Sequence, residues 1–105
     1  MSLLIDRQGK IKGNYKKINL CDDSDATPGS KIFVYKTDFA KIGIAICWDL
    51  AFPEIFSKLK KAGAEIVFCP SYWFYEDFAH RKNPKIRELS LLKSLILSRA
   101  FENLF

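Results

Sequence analysis

Hydrophobic positions along the chain change period several times, and each change marks an element. Leu3, Leu4 and Ile5 are apolar, Asp6 to Gly9 carries turn-forming residues, and Ile11 to Leu20 resumes an extended pattern. This predicts two strands about a turn. The polar stretch CDDSDATPGS, with Pro28-Gly29, predicts a loop. KIFVYKT alternates as a strand. KIGIAIC, from Lys41 to Cys47, is almost continuously apolar up to the polar step at Asp49, the pattern of a strand buried on both faces. Pro53 suits the first turn of a helix, Glu54 lies near the positive end of its dipole, Ile55, Phe56 and Leu59 share a face, and Gly63 stops it. AEIVFCP predicts a second buried strand, ended by Pro70. Strand, helix and strand from Lys41 to Pro70 then form a right-handed βαβ crossover with parallel strands, so the class is α/β. SYWFYEDFAHRKNP mixes aromatic and polar residues without a clean period and predicts a loop over a site. Asn83-Pro84 caps a helix from Lys85 to Glu102. Its stripe is Ile86, Leu89, Leu92, Ile96 and Ala100, widened by Leu91, Leu95 and Leu97, so burial on more than one side is expected.

Composition narrows the class. A length of 105 residues allows one small domain. Hydrophobic residues at 49% exclude a disordered chain, and nine Phe, four Tyr and two Trp require a core or a partner surface to bury them. The net charge of +5 comes from lysines dispersed along the chain. That is a solvated surface, not the dense basic block of a nucleic-acid reader. Cys21, Cys47 and Cys69 are odd in number and lack C-x-x-C spacing, so neither a disulfide framework nor a zinc site is expected. Reduced thiols in the cytoplasm follow. No apolar run reaches the ~18 residues of a membrane span. Met1-Ser2-Leu3 lacks the charged start of a signal peptide.

Three stretches, in order, resemble the carbon–nitrogen hydrolase (nitrilase) superfamily. DRQGKIKGNYKKINL is similar to the segment around the family's catalytic lysine, which maps to Lys17. KIGIAICWDLAFPE is similar to the nucleophile segment, with Cys47 as nucleophile and Asp49, Phe52, Pro53 and Glu54 at the family spacing. SRAFENLF is similar to a later helix motif through Arg99, Ala100, Glu102 and Asn103. The resemblance implies a partial αββα sandwich of the nitrilase type. It makes residues 1–105 the central part of one hydrolase domain, about half of the whole, with the N-terminal and C-terminal portions absent. The family's general-base glutamate has no match here, and Glu54 occupies a structural position. A second family glutamate, ahead of a Pro-Gly pair, maps to Asp22, one methylene shorter. The family arginine before Phe-Pro-Glu is Ala51.

The implied chemistry is attack by Cys47 on an amide-type carbon, loss of ammonia or an amine, and hydrolysis of the thioester, with no metal or organic cofactor. An ordinary thiol titrates near about 8.5, so a nucleophilic cysteine needs help. A Lys17 ammonium and the backbone N–H groups of the turn after Cys47 would favour the thiolate. The Trp48 N–H would join Lys17 in holding the oxyanion. Tyr72 and Trp73 are expected to bind substrate, with the edge of the core as the plain alternative. Asp49 is most simply a carboxylate fixing the turn through backbone N–H groups, and Arg99 with Glu102 an ion pair on one helix face. His80 offers a rival base in a Cys–His pair. The expected substrate is a linear amide, then an N-carbamoyl compound, then a nitrile, and the chain alone is expected to lack turnover. Pairing of copies through helices is expected, and no nucleic acid or membrane partner. The rival readings are a non-catalytic assembly domain of the same fold, a redox-sensing thiol protein at Cys47, and a nucleic-acid module.

Overall fold

The computed structural model describes residues 1–21, 25–73 and 84–105. The turn chemistry of Asp6 to Gly9 closes the first hairpin. The Asp6 carboxylate accepts from the backbone N–H groups of Gln8 and Lys10, both at 2.9 Å, and Gly9 takes the left-handed conformation (φ 78°). Strand β1 (Ser2–Ile5) thereby pairs antiparallel with β2 (Ile11–Tyr15). The extended pattern reads on to Leu20, but the strand ends at Tyr15, where the chain turns to meet Asp49.

A second sheet has the order β3–β4–β5. Strand β3 (Phe33–Lys36) runs antiparallel to β4 (Lys41–Ile44), and β4 runs parallel to β5 (Ile66–Phe68). Between the parallel strands lies helix α1 (Pro53–Lys61), which completes the βαβ crossover. Ile42, Gly43, Ile44 and Ala45 are all buried, as a two-sided strand requires. A Cβ at Gly43 would lie 3.1 Å from Leu59 Cδ2 and 3.2 Å from Ala64 Cβ, so the missing side chain lets α1 sit close on the sheet. The core there is Ala45, Leu50, Ile55, Phe56, Leu59 and Ala64. On the opposite face the Phe33 ring lies over Gly13 of β2, bringing the first hairpin against the second sheet. Helix α1 ends in a paired turn: Gly63 (φ 87°) donates to Lys60 O at 2.8 Å and Ala64 to Leu59 O at 3.0 Å.

Two expectations are corrected. Among the described residues strand β5 lies at the edge of its sheet with one open face, where a strand covered on both faces was expected: Ile66 and Phe68 are 40% and 55% exposed. A short apolar run reads the same whether one or two neighbours cover it. Helix α2 (Pro84–Asn103) also faces inward differently. Among its described side chains the buried ones are Glu88, Arg99 and Asn103, with Leu92 and Leu95 packed on the core. Of the predicted stripe, Leu89 and Ile96 are exposed, and the Ile86 side chain lies outside the described residues. Polar residues that find partners can share the buried face of a helix, and a hydrophobic period does not count them.

Candidate functional site

The site is built where β4 gives way to a turn. The parallel ladder continues past β4: Ala45 N–H donates to Phe68 O and Cys47 N–H to Pro70 O, both at 3.0 Å. Cys47 then leaves the extended conformation for the left-handed region, φ 48°, and opens a 3-10 turn over Cys47–Ala51. A non-glycine residue is uncommon there, and the strain of about 1–3 kcal/mol persists only where surroundings enforce it. Leu104 shares a positive φ, but it ends α2, where that conformation is an ordinary helix stop. Cys47 lies at the start of a turn and needs another cause.

That cause is Asp49. Its side chain is fully buried, and Oδ2 accepts from Ile46 N–H at 3.0 Å, closing the turn around Cys47. The same oxygen accepts from Tyr15 Oη–H at 2.7 Å, and Oδ1 accepts from Asn19 N–H at 2.8 Å and Asn19 Nδ2–H at 3.1 Å. The sequence pointed to a turn-fixing carboxylate and missed the reach of Asp49 back to Tyr15 and Asn19. Tyr15 is itself 1% exposed. Burial first, and the hydrogen bond to Asp49 second, push its phenol well above the usual range, so it stays a donor.

Lys17 lies midway between those two anchors. With Tyr15 and Asn19 both tied to the carboxylate two residues after Cys47, the lysine segment is fixed beside the cysteine turn. Its backbone is held from outside as well, because Gly29 N–H donates to Lys17 O at 2.8 Å. Lys17 is half-buried and has its own interactions. Asp22 and His80 lie outside the described residues.

The strand after α1 brings the remaining side chains. Cys47 is half-buried, and its Sγ–H donates to Tyr72 O at 3.7 Å, so the thiol rests on the Tyr72–Trp73 peptide. The Tyr72 side chain is 80% exposed, and its backbone carbonyl meets the thiol. Trp73 and Trp48 meet with ring centroids 5.6 Å apart, and Trp48 meets Phe52 edge-on at 6.4 Å. The Trp73 indole N–H donates to Glu88 Oε2 at 3.1 Å, a partner that no motif or period in the sequence singles out. Cys69 is close by, with Sγ 4.0 Å from Cys47 O, and burial pushes its thiol up, which suits a structural cysteine. Arg99 Nε–H donates to Leu50 O at 3.1 Å and its Nη1–H to Glu102 Oε2 at 2.8 Å, so the predicted ion pair also clamps α2 to the cysteine turn. Among the described residues, no group of three His, Cys, Asp or Glu side chains could hold a metal ion. No described helix is long and apolar enough to cross a membrane.

The arrangement matches known proteins along its length. The model of the carbon-nitrogen hydrolase family matches residues 1–103. Deaminated glutathione amidase of Yersinia enterocolitica is 37% identical over 82 residues, covering 67% of this chain and 29% of its own. N-carbamoylputrescine amidase of Arabidopsis thaliana is 41% identical over 75 residues, covering 65% of this chain and 25% of its own. The solved carbon-nitrogen hydrolase of Helicobacter pylori G27 superposes with a TM-score of 0.80 at 27% identity, covering 96% of this chain and 36% of that one. The α/β fold is therefore part of the nitrilase-type arrangement. Measured against these relatives the chain covers 25% to 36% of their length.

Proposed function

The chain belongs to the carbon–nitrogen hydrolase family, and from that premise we propose that it supplies the nucleophile and its electrostatic support to a domain that hydrolyses an amide-type C–N bond. Cys47 attacks the carbonyl carbon, its thiol proton passes to the leaving nitrogen as the C–N bond breaks, and water releases the acid from the thioester and restores the thiol. Lys17 provides the ammonium that stabilises charge on sulfur and on the tetrahedral oxygen. Trp48, second in its 3-10 turn, offers a backbone N–H of the kind that has no partner within the turn. Losing one such oxyanion donor costs about 3–4 kcal/mol of barrier, roughly 10²–10³ in rate. In this reading Asp22 takes the sequence position of the family's second glutamate, and Tyr72 and Trp73 border the substrate.

The observation that carries the proposal is the left-handed backbone at Cys47, enforced by a carboxylate that also tethers both sides of Lys17. A merely packed cysteine gives no reason for that strain. Among substrates we place linear amides first, N-carbamoyl compounds second and nitriles last, in keeping with the two amidases to which the chain is similar. The residues assigned here include no general base, so the 105-residue chain alone is expected to react covalently without turning over. Self-association through the helices belongs to the same proposal and draws support from the outward Leu97 and Phe101 of α2, 69% and 83% exposed.

The test is ammonia release by the whole protein from a panel of amides, N-carbamoyl amines and nitriles. Cys47→Ala should abolish it, and Lys17→Met should lower it by roughly 10²–10³. Undiminished release by Cys47→Ala rejects the proposal.

A further inference from the structure

We propose that Glu88 is a positioning residue for this site: through the indole of Trp73 it sets an aromatic wall, Trp73 against Trp48, beside Cys47. That wall would select substrates whose acyl portion is planar or apolar. The inference rests on the reading of Cys47 as nucleophile.

A glutamate side chain is rarely buried unless its oxygens find partners. Glu88 is 6% exposed, yet it lies on α2, far along the chain from the cysteine turn. Its Oε2 accepts the Trp73 indole N–H at 3.1 Å. An indole has one donor, so this bond fixes the direction of the ring. The fixed ring meets Trp48 at 5.6 Å with the planes inclined by 42°, and Trp48 adjoins Cys47 in the chain. Phe52 also meets Trp48 edge-on. The same bond bears on the thiol. Cys47 Sγ–H donates to the Tyr72 carbonyl, which belongs to the peptide joining Tyr72 to Trp73. Beyond Ser71, whose hydroxyl bonds back to Cys69 O at 3.0 Å, this segment lies outside any strand of the described residues. Anchoring the Trp73 side chain to α2 therefore steadies both the wall and the peptide on which the sulfur rests. Glu88 touches neither sulfur nor substrate in this role; it acts through Trp73.

The measurement uses the whole protein and two readouts that need no turnover. One is the near-ultraviolet circular dichroism of the coupled indoles, taken as the difference between wild type and Trp73→Phe. The other is the rate of Cys47 alkylation, located by peptide mapping, with iodoacetamide and with its N-phenyl analogue. Glu88→Gln, whose side-chain carbonyl still accepts from the indole, should keep the indole band and hold the ratio of the two rates within about twofold. Glu88→Leu should lose the band and shift the ratio at least fivefold. In a Trp73→Phe background, Glu88→Leu should add less than a twofold change, because its route to the site is already cut. A folded Glu88→Leu with the wild-type band and ratio overturns the inference, and so does an undiminished effect in the Trp73→Phe background. Should Glu88→Leu fail to fold, Trp73→Phe alone decides: it removes the N–H and keeps an aromatic ring, and a ratio within twofold of wild type overturns the role. Failure of the nucleophile reading shows separately, as amide turnover that survives Cys47→Ala.

Discussion

Replacing Asp49 by asparagine keeps the shape of the side chain and removes its charge. Asp49 Oδ1 accepts two donors from Asn19, and Oδ2 accepts Tyr15 Oη–H and Ile46 N–H. An asparagine NH2 at the Oδ1 position would face two N–H groups, neither able to accept. At the Oδ2 position it would face Ile46 N–H, while the Tyr15 hydroxyl could rotate and accept. The second orientation is the cheaper. It strands one backbone donor, at about 1–3 kcal/mol, and turns the remaining charge-assisted bonds into neutral ones of roughly half the strength. The expected loss is about 2–4 kcal/mol, a large fraction of what holds a small domain together. Urea unfolding of wild type, Asp49→Asn, Tyr15→Phe and the double variant reads it. The two single changes share one hydrogen bond, so the double variant should fall short of their sum by 0.5 kcal/mol or more. Cys47 should also become more evenly reactive toward large and small alkylating agents as the turn relaxes. An Asp49→Asn protein within about 0.5 kcal/mol of wild type refutes the carboxylate as the keystone of the turn.

Gly29→Ala would put a Cβ 2.3 Å from the Lys16 carbonyl oxygen, a backbone atom that cannot step aside. A loss of about 1–3 kcal/mol in thermal unfolding is expected, with lower amide turnover as the Lys17 segment shifts; an unchanged melt contradicts it. Arg99→Met leaves Leu50 O without its donor and should cost about 2–3 kcal/mol, whereas Glu102→Ala, which removes a half-exposed partner, should cost under about 1 kcal/mol. Equal losses in urea unfolding would show that the ion pair, not the carbonyl contact, holds α2 down. The Tyr15 phenol titrates above its ordinary 10.0 when folded, so its stabilising share is complete below pH 10 and is lost as pH rises. Between pH 10 and 12 unfolding should become easier by about 1.4 kcal/mol per pH unit from this group, and Tyr15→Phe should remove that slope. Equal slopes in the two proteins would place the phenol in water.

The segment from Lys41 to Gly63 was legible because its signals are local. A continuous apolar run, a proline at a first turn and a glycine at a helix stop each act within a few residues, and β4, α1 and the Gly63 stop lie where they point. Cys47 was singled out by the resemblance of its segment, with Asp49, Phe52 and Pro53 at the family spacing, and it lies where the strand gives way to the turn. What stayed hidden depends on partners distant in sequence. Nothing near Tyr15 or Asn19 announces a carboxylate 34 or 30 residues away. Glu88, Arg99 and Asn103 occupy the inward face of α2 because Trp73, Leu50 O and Arg99 O meet them there, and hydrophobic periodicity assigns such residues to solvent. The openness of β5 was hidden for a related reason, since its Ile66 and Phe68 are the residue types a covered strand would also carry.

Rapid quenching of the whole protein during amide hydrolysis, followed by peptide mapping of all three thiols, bears most directly on the nucleophile. The acyl group should be found on the peptide that carries Cys47, with Cys21 and Cys69 unmodified. Turnover with no acyl group on that peptide, or with the group on Cys69 instead, would contradict the role assigned to the strained residue at the end of β4.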